Sequence, residues 1–158
     1  MFRLPLAWQC LTFRDLTSYQ LYQILRLRQE VFAVEQNSVY LDVDGKDLGA
    51  LHVLAEEDGR VLAYCRLLAP GVKYAEASIG RVVTAPEVRG TGAGRELMRQ
   101  ALAACQQHYP ETGNRISAQL YLQTFYEGFG YEAVGEPYGE DGIPHIEMLR
   151  PAASGATA

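Results

Sequence analysis

The sequence predicts a single α/β domain built on a mixed sheet. Segments of strand and helix character alternate along the chain, and neither a linker nor an internal repeat divides it. Its 158 residues are enough for one domain with a substantial core. We expect this domain to span residues 1–150, and the small, polar residues 151–158 to form a disordered tail.

The first elements are a strand and a helix. Residues 7–13 are partly alternating and aromatic, which predicts a strand. Thr17 or Ser18 can cap a helix of about four turns, whose apolar positions recur at i, i+4 spacing as far as Phe32. The acidic and irregular residues 37–49 predict a loop.

A hairpin and a further strand follow. Residues 51–57 and 61–68 are apolar runs that flank Asp58-Gly59. An Asp-Gly pair between apolar runs is a strong hairpin signal. Residues 77–84 then form a β-branched run, which predicts the next strand.

The second half repeats the alternation of helix and strand. A helical pattern runs from Arg95 to near His108, where Pro110 forbids its continuation. A short helix at residues 123–129 is stopped by Gly130. Strand patterns occur at residues 115–121, 131–135 and 143–149, the last two joined by a turn at 139–142. The predicted order is therefore β-α-loop-β-β-β-α-β-α-β-β.

Charge, hydropathy and cysteine content argue against several classes of protein. A net charge of −5 disfavours a nucleic-acid partner. No apolar run approaches the ~18 residues of a membrane helix, and residues 1–6 lack the apolar region of a signal peptide. Cys10, Cys65 and Cys105 lie among apolar neighbours without metal-ligand spacing, so we expect buried, reduced thiols, no metal site and a cytoplasmic location.

Residues 82–95 carry the strongest functional signal. A β-branched run passes through Gly90, Gly92 and Gly94 directly into a helix. Glycines allow a ligand to approach the backbone, and a helix N-terminus supplies free N–H groups, which together favour a phosphate. Arg95 stands where a Walker A loop needs lysine and where a dinucleotide fingerprint needs glycine, so both of those motifs are excluded.

The Arg-x-x-Gly-x-Gly pattern from Arg89 to Gly94 resembles the coenzyme loop of the GNAT superfamily, the acyl-CoA-dependent N-acyltransferases. Residues 125–131 resemble the second signature of that family, aromatic-Tyr-x-x-x-Gly-aromatic. Segments that resemble its ElaA-type branch are residues 28–36, 42–45 and 140–145. The resemblance implies a GNAT-like domain, with a mixed, mostly antiparallel sheet of six to seven strands flanked by helices, and acetyl-CoA as co-substrate.

The resemblance also implies which residues bind the coenzyme. The N–H groups of the glycine loop would hold its pyrophosphate, and the preceding strand would present its backbone to the pantetheine arm. The residues so implied are Val82, Val83, Thr84, Arg89, Gly90, Thr91, Gly92, Ala93, Gly94 and Arg95. Gln119 stands where many relatives carry an asparagine that binds the coenzyme.

The expected reaction is direct attack of an amine on the thioester. Tyr126 matches the family's tyrosine that hydrogen-bonds the thiol sulfur, which nominates it as general acid. Many relatives carry a glutamate as general base on the strand before the loop, but residues 78–83 contain no carboxylate. The candidates for the base are Glu30, Glu35, Asp44, His52 and His145, of which His145 is preferred, and deprotonation through water stays open.

The acceptor side is assigned to Glu30, Arg81 and Asp44. The acidic loop that contains Asp44 would receive a cationic amine, whereas Arg81 would either bind an acidic group of the substrate or pair within the fold. The leading prediction is acetyl transfer to a primary amine of a small molecule or peptide in a ternary complex.

The sequence leaves open two alternative functions and a homodimer. An acyl-homoserine-lactone-synthase-like acyltransferase is suggested by Arg28-x-x-x-Phe32 and Asp42-x-Asp44. A non-catalytic acyl-CoA-binding module that regulates a partner is the alternative from another functional class. An exposed edge strand near the C-terminus would also allow a homodimer.

Overall fold

The computed structural model describes residues 6–153, and within them seven strands form two antiparallel sheets. The first sheet has the order β1-β2-β3-β4, with β1 Ala7–Thr12, β2 Leu51–Glu57, β3 Arg60–Leu68 and β4 Ser78–Thr84. The second has the order β5-β7-β6, with β5 Asn114–Gln119, β6 Glu132–Glu140 and β7 Ile143–Arg150. The predicted mostly antiparallel sheet of six to seven strands flanked by helices is confirmed. Residues 154–158 of the predicted tail lie outside the described residues, as do residues 1–5.

The two sheets meet at one parallel bridge and then separate. Ala77 pairs with Asn114, and the Arg115 N–H donates to the Ala77 carbonyl at 3.0 Å. The Asn114 side-chain oxygen accepts the Ile79 N–H at 3.4 Å and the Tyr131 hydroxyl at 2.5 Å. Beyond this point no backbone hydrogen bond joins β4 to β5 within the described residues. A cleft therefore opens between the two strands.

The first helix changes its pitch halfway. Helix α1, Ser18–Arg28, is capped by the Thr17 side chain and continues as a π-helix over Gln29–Glu35. The wider turn buries both Val31 and Phe32. Apolar spacing predicted one regular helix here, because i, i+4 periodicity does not distinguish a π-helical turn that is favoured by tertiary contacts.

The other helices agree closely with the sequence. Helix α2, Ala93–His108, begins before the predicted Arg95 because Gly92 supplies its N-cap. Helix α3 is short, Gln123–Glu127, and Gly130 at φ +91° follows it. None of the helices within residues 6–153 is both long and apolar enough to cross a bilayer.

The hairpin of β6 and β7 is longer than predicted. Strand β6 continues to Glu140, and Asp141-Gly142 forms the turn with φ values of +51° and +78°. Positive φ at both central residues is typical of the tight turns that match strand twist. Strand β6 is an exposed edge of the second sheet. Pairing of two copies through this edge stays a prediction.

The core fills both faces of the first sheet. Val53 faces helix α2, and Leu54 lies in the cluster under α1, as expected from the alternation of side chains along a strand. Cys65 and Cys105 are buried as free thiols. The prediction that Cys10 is buried is wrong, because β1 is an edge strand and Cys10 is exposed on it.

An ionic cluster fixes the loop between the π-helix and β2. The Arg–Asp cluster consists of Arg28, Arg66, Arg81, Asp42, Asp44 and Asp47. Asp47 accepts from Arg28 at 2.8 Å and from Arg66 at 3.0 Å, and all three of these residues are buried. Arg66 also pairs with Asp44 through both oxygens. Equal numbers of opposite charges make this burial tolerable.

We predict that Asp47→Ala lowers the free energy of unfolding by roughly 3 kcal/mol, because it leaves two buried guanidinium groups without their shared partner. The measurement is urea denaturation, with the slope unchanged. Glu30→Ala is the control, since it removes the exposed Arg26–Glu30 pair, and it should leave the midpoint where it is. Equal midpoints for the two variants would contradict a structural role for the cluster.

Candidate active site

A cavity of about 870 Å³ occupies the cleft between β4 and β5. Strand β4 and the glycine loop form one wall, and β5 with helix α3 forms the other. The π-helical turn covers the cavity, and the β6–β7 hairpin closes one end. The elements that the sequence singled out for coenzyme binding and for catalysis therefore meet around one space.

Strand β4 is kinked where it lines the cavity. Tyr64 pairs with Val83 and Arg66 with Gly80, so β4 contains one extra residue in a bulge. Arg81 lies in this bulge with φ +51°, a conformation that is costly for a residue with a side chain. Within the described residues no strand pairs with the other edge of β4 beyond Ala77, so its backbone at residues 82–84 is open to a ligand.

The side chain of Arg81 is held by the Arg–Asp cluster. Its Nε lies 2.8 Å from Asp42 Oδ1, and its Nη2 lies 3.3 Å from Asp44 Oδ2. The guanidinium also lies over the Tyr40 ring at 5.3 Å. Of the two roles left open for Arg81, this geometry favours pairing within the fold over binding an acidic group of the substrate.

The glycine loop has the form of an anion cradle. Gly90 and Gly92 have φ values of +78° and +90°, which explains the need for glycine there. Gly92 caps helix α2 without a side-chain hydrogen bond, so the N–H groups of Ala93, Gly94 and Arg95 lack a capping partner. A Cβ at Gly90, Gly92 or Gly94 would meet no atom within 4 Å. The loop therefore presents open backbone donors.

Not every predicted coenzyme residue reaches the cavity. Val82, Val83, Thr84, Arg89, Gly90, Gly94 and Gln119 line it. Thr91, Gly92, Ala93 and Arg95 lie outside its lining, at the start of α2. The second group would act through the backbone and the helix terminus rather than as side chains.

Two polar contacts tie the π-helical turn to opposite walls. Arg89 donates to both oxygens of Glu35, at 2.6 and 2.8 Å, and lowers the pKa of that carboxyl. Gln119 donates to Gln36 Oε1 at 3.2 Å. Arg89 and Gln119, both predicted to bind the coenzyme, thus contact the π-helical turn that covers the cavity. A ligand that used them would share or replace these contacts.

Tyr126 lies in the wall formed by α3. Its ring packs edge-on against Phe125 and Tyr131, with centroids 5.3 and 5.8 Å apart, and its side chain is buried. Burial raises the pKa of the Tyr126 phenol well above its usual value, so the hydroxyl is protonated at neutral pH. No group within residues 6–153 hydrogen-bonds that hydroxyl, which leaves a donor available to the cavity.

His145, on β7, lines the cavity together with the residues of the β6–β7 hairpin. Its Nδ1 lies 2.7 Å from the Ile143 carbonyl, and a carbonyl can only accept, so Nδ1 carries the proton. Nε2 is then the nitrogen with a free electron pair, and it lies 3.5 Å from Glu140 Oε2. The Nε2 electron pair is therefore available to accept a proton, with a carboxylate beside it.

The other candidate bases have different roles. Glu30 pairs with Arg26 on the surface, outside the cavity. Asp44 belongs to the Arg–Asp cluster, where Arg66 holds the pKa of its carboxyl far below the usual range. His52 is buried, accepts from the Tyr64 hydroxyl at 2.6 Å and donates to the Asp47 carbonyl at 2.9 Å. Of the candidates, Glu35 and His145 line the cavity, and Glu35 is paired.

Sequence reasoning missed several charged residues of the cavity lining, which are Arg66, Lys73, Glu140 and Asp141. Glu140 could have been found, because the Asp141-Gly142 turn places it across a tight hairpin from Ile143 and close to His145. Lys73 lies in the loop between β3 and β4, and no motif around it indicates that it faces the cavity.

Comparison with known proteins agrees with this geometry. The family model described as the acetyltransferase (GNAT) domain matches residues 18–150. Protein ElaA of Escherichia coli is 42% identical over 147 residues, which cover 92% of this chain and 96% of ElaA. Its crystal structure superposes with a TM-score of 0.84 over 91% of this chain and 99% of that chain.

Two other solved structures resemble this chain, one in both sequence and fold and the other in fold alone. An acyl-CoA N-acyltransferase from Pseudomonas aeruginosa is 46% identical, with a TM-score of 0.88 over 92% of this chain and 99% of that chain. The AHL synthase LasI has a TM-score of 0.75 over 93% of this chain and 90% of its own, but at 17% identity it shows a shared fold alone. These comparisons therefore support an acyltransferase of the GNAT fold with an ElaA-like sequence. The chain belongs to the GNAT acetyltransferase family.

Proposed function

We propose that this protein transfers an acetyl group from acetyl-CoA to a primary amine of a small molecule or peptide by direct attack in a ternary complex. One observation carries the proposal: a single cavity connects the uncapped glycine loop, the open edge of β4 and the Tyr126 phenol to His145. The loop suits a diphosphate, and the phenol suits a thiol leaving group.

The chain's groups fit the coenzyme at each position along the cavity. The uncapped N–H groups of Ala93, Gly94 and Arg95 offer donors for the pyrophosphate, with no side chain in the way. Residues 82–84 offer backbone groups to the amides of the pantetheine arm, much as a sheet edge accepts an added strand. A backbone N–H at the bulge would also stabilise negative charge that develops on the thioester oxygen.

In the proposed reaction the amine nitrogen forms a bond to the thioester carbonyl carbon, and the carbon–sulfur bond breaks. His145 accepts the amine proton at Nε2, and Glu140 stabilises the resulting charge. Tyr126 donates a hydrogen bond to the departing thiolate. Because burial raises the pKa of Tyr126, the phenol acts chiefly as a donor, and a proton from solvent completes the thiol.

We place this reaction in the cytoplasm. Cys65 and Cys105 are buried free thiols, and Cys10 is a free, exposed thiol, which suits a reducing compartment.

Tyr126→Phe should lower kcat about 100-fold while leaving the dissociation constant of coenzyme A unchanged, because only the donor to the leaving thiolate is lost. Thiol release under saturating amine and calorimetric binding of coenzyme A measure the two quantities. Tyr121→Phe is the control. Tyr121 also lines the cavity but is exposed, and the loss of its hydroxyl group should leave kcat near that of the unmodified protein. Undiminished turnover by Tyr126→Phe would refute the assigned role.

Gly94→Ala should weaken coenzyme A binding at least about 10-fold and leave folding intact. Its backbone does not require glycine and a Cβ would meet no atom within 4 Å, so the added methyl group intrudes only on space open to a ligand. Gly49→Ala is the matched control, because Gly49 has equal room and lies outside the cavity lining. Calorimetry and urea denaturation give both readouts. Unchanged affinity in Gly94→Ala would remove the glycine loop from the coenzyme site.

A further inference from the structure

We propose that the acceptor carries a carboxylate beside its amine, as a free α-amino acid does, with Lys73 binding the carboxylate while Glu140 and His145 receive the amine. This inference rests on the proposed function and specifies the substrate class of the same site. Most charged side chains that line the cavity are already engaged in ion pairs, and within the described residues Lys73 is not.

The arginines of the cavity are already neutralised. Arg66 and Arg81 are held by aspartates of the Arg–Asp cluster, and Arg89 is held by Glu35. Lys73 is different: it lines the cavity, and no carboxylate within residues 6–153 forms an ion pair with it. Among the described residues, the cavity therefore has an unneutralised cation at Lys73.

The loop of Lys73 is well ordered by its own contacts. The Gly71 N–H donates to the Tyr74 carbonyl at 2.7 Å, and the Val72 N–H donates to the Ala69 carbonyl at 3.2 Å. The Lys73 ammonium lies 5.3 Å from the centroid of the Tyr74 ring, within the range of a cation–π contact. The backbone contacts define the turn, and the Tyr74 ring is the contact that favours this position of the exposed Lys73 side chain.

An oriented carboxylate faces the same space from the β6–β7 hairpin. Glu140 Oε1 accepts from the Ser117 hydroxyl at 3.4 Å, and Ser117 also shares a short hydrogen bond with the Tyr138 hydroxyl. Glu140 Oε2 lies 3.5 Å from His145 Nε2. The Ser117 hydroxyl therefore holds one oxygen of the carboxylate, and the other oxygen lies beside the nitrogen that accepts a proton.

Lys73 and Glu140 present opposite charges to the same cavity. Glu140 interacts electrostatically with Lys73, so the two lie in the same region, yet they do not approach within 4 Å as an ion pair. A molecule with an ammonium group next to a carboxylate would complement both. A diamine or polyamine would place a second positive charge near Lys73, which is unfavourable.

The test compares amines that differ only at the carboxylate. Leucine, phenylalanine and tyrosine are each assayed beside their amides and their decarboxylated amines, with acetyl-CoA and detection of the released thiol. We expect kcat/KM to be at least about 10-fold higher for the amino acids, the effect of one charge-assisted contact. Lys73→Met should abolish that preference by raising KM for the amino acids while leaving kcat/KM for the decarboxylated amines unchanged.

Lys46→Met is the matched control, since Lys46 is an exposed lysine outside the cavity lining, and it should preserve the preference. Equal or faster reaction of the decarboxylated amines would overturn the carboxylate inference and leave the acetyltransferase proposal standing. An equal loss for both substrate types in Lys73→Met would also overturn it. If coenzyme A binds but no amine of any kind releases thiol, the proposed function fails and this inference fails with it.

Discussion

The separation of β4 from β5 is the constraint on which the rest of the site depends. Asn114 ends the contact between the strands by accepting from both Ile79 and Tyr131, and from there the sheet divides. The bulge at Arg81 bends β4 further, at the cost of a positive φ in a residue with a side chain. A single continuous sheet would satisfy its backbone groups internally, whereas this divided sheet leaves an open backbone edge along a cavity.

The Arg–Asp cluster holds the bulged residue Arg81 in this strained conformation. Asp42 and Asp44 hold the Arg81 guanidinium, while Asp47 links Arg28 to Arg66 in the interior. The cluster also has an electrostatic consequence. It pairs Arg66 and Arg81, which line the cavity, with carboxylates of the fold. These two cavity-lining charges are therefore held by the fold itself.

Much of the fold is encoded in local signals. Asp58-Gly59 fixes a hairpin, Pro110 limits a helix, and glycines at positive φ mark the loop before α2. These signals are readable because they depend on the conformational preferences of single residues or pairs. The nomination of Tyr126 has a different basis, a short pattern that resembles a family signature. In the structure its phenol is buried in the cavity wall, and no hydrogen bond within residues 6–153 uses it.

The sequence by itself determined the order of elements, the position of the glycine loop directly before α2 and the family resemblance. Tertiary structure alone located the candidate bases: Glu30 is on the surface, His52 is in the core, and Glu35 and His145 line the cavity. It also decided that Arg81 pairs within the fold, that Cys10 is exposed and that Lys73 faces the cavity. The physical reason is the same in each case. Burial and charge pairing depend on residues far apart in the chain, such as Arg81 with Asp42, and no local pattern encodes those contacts.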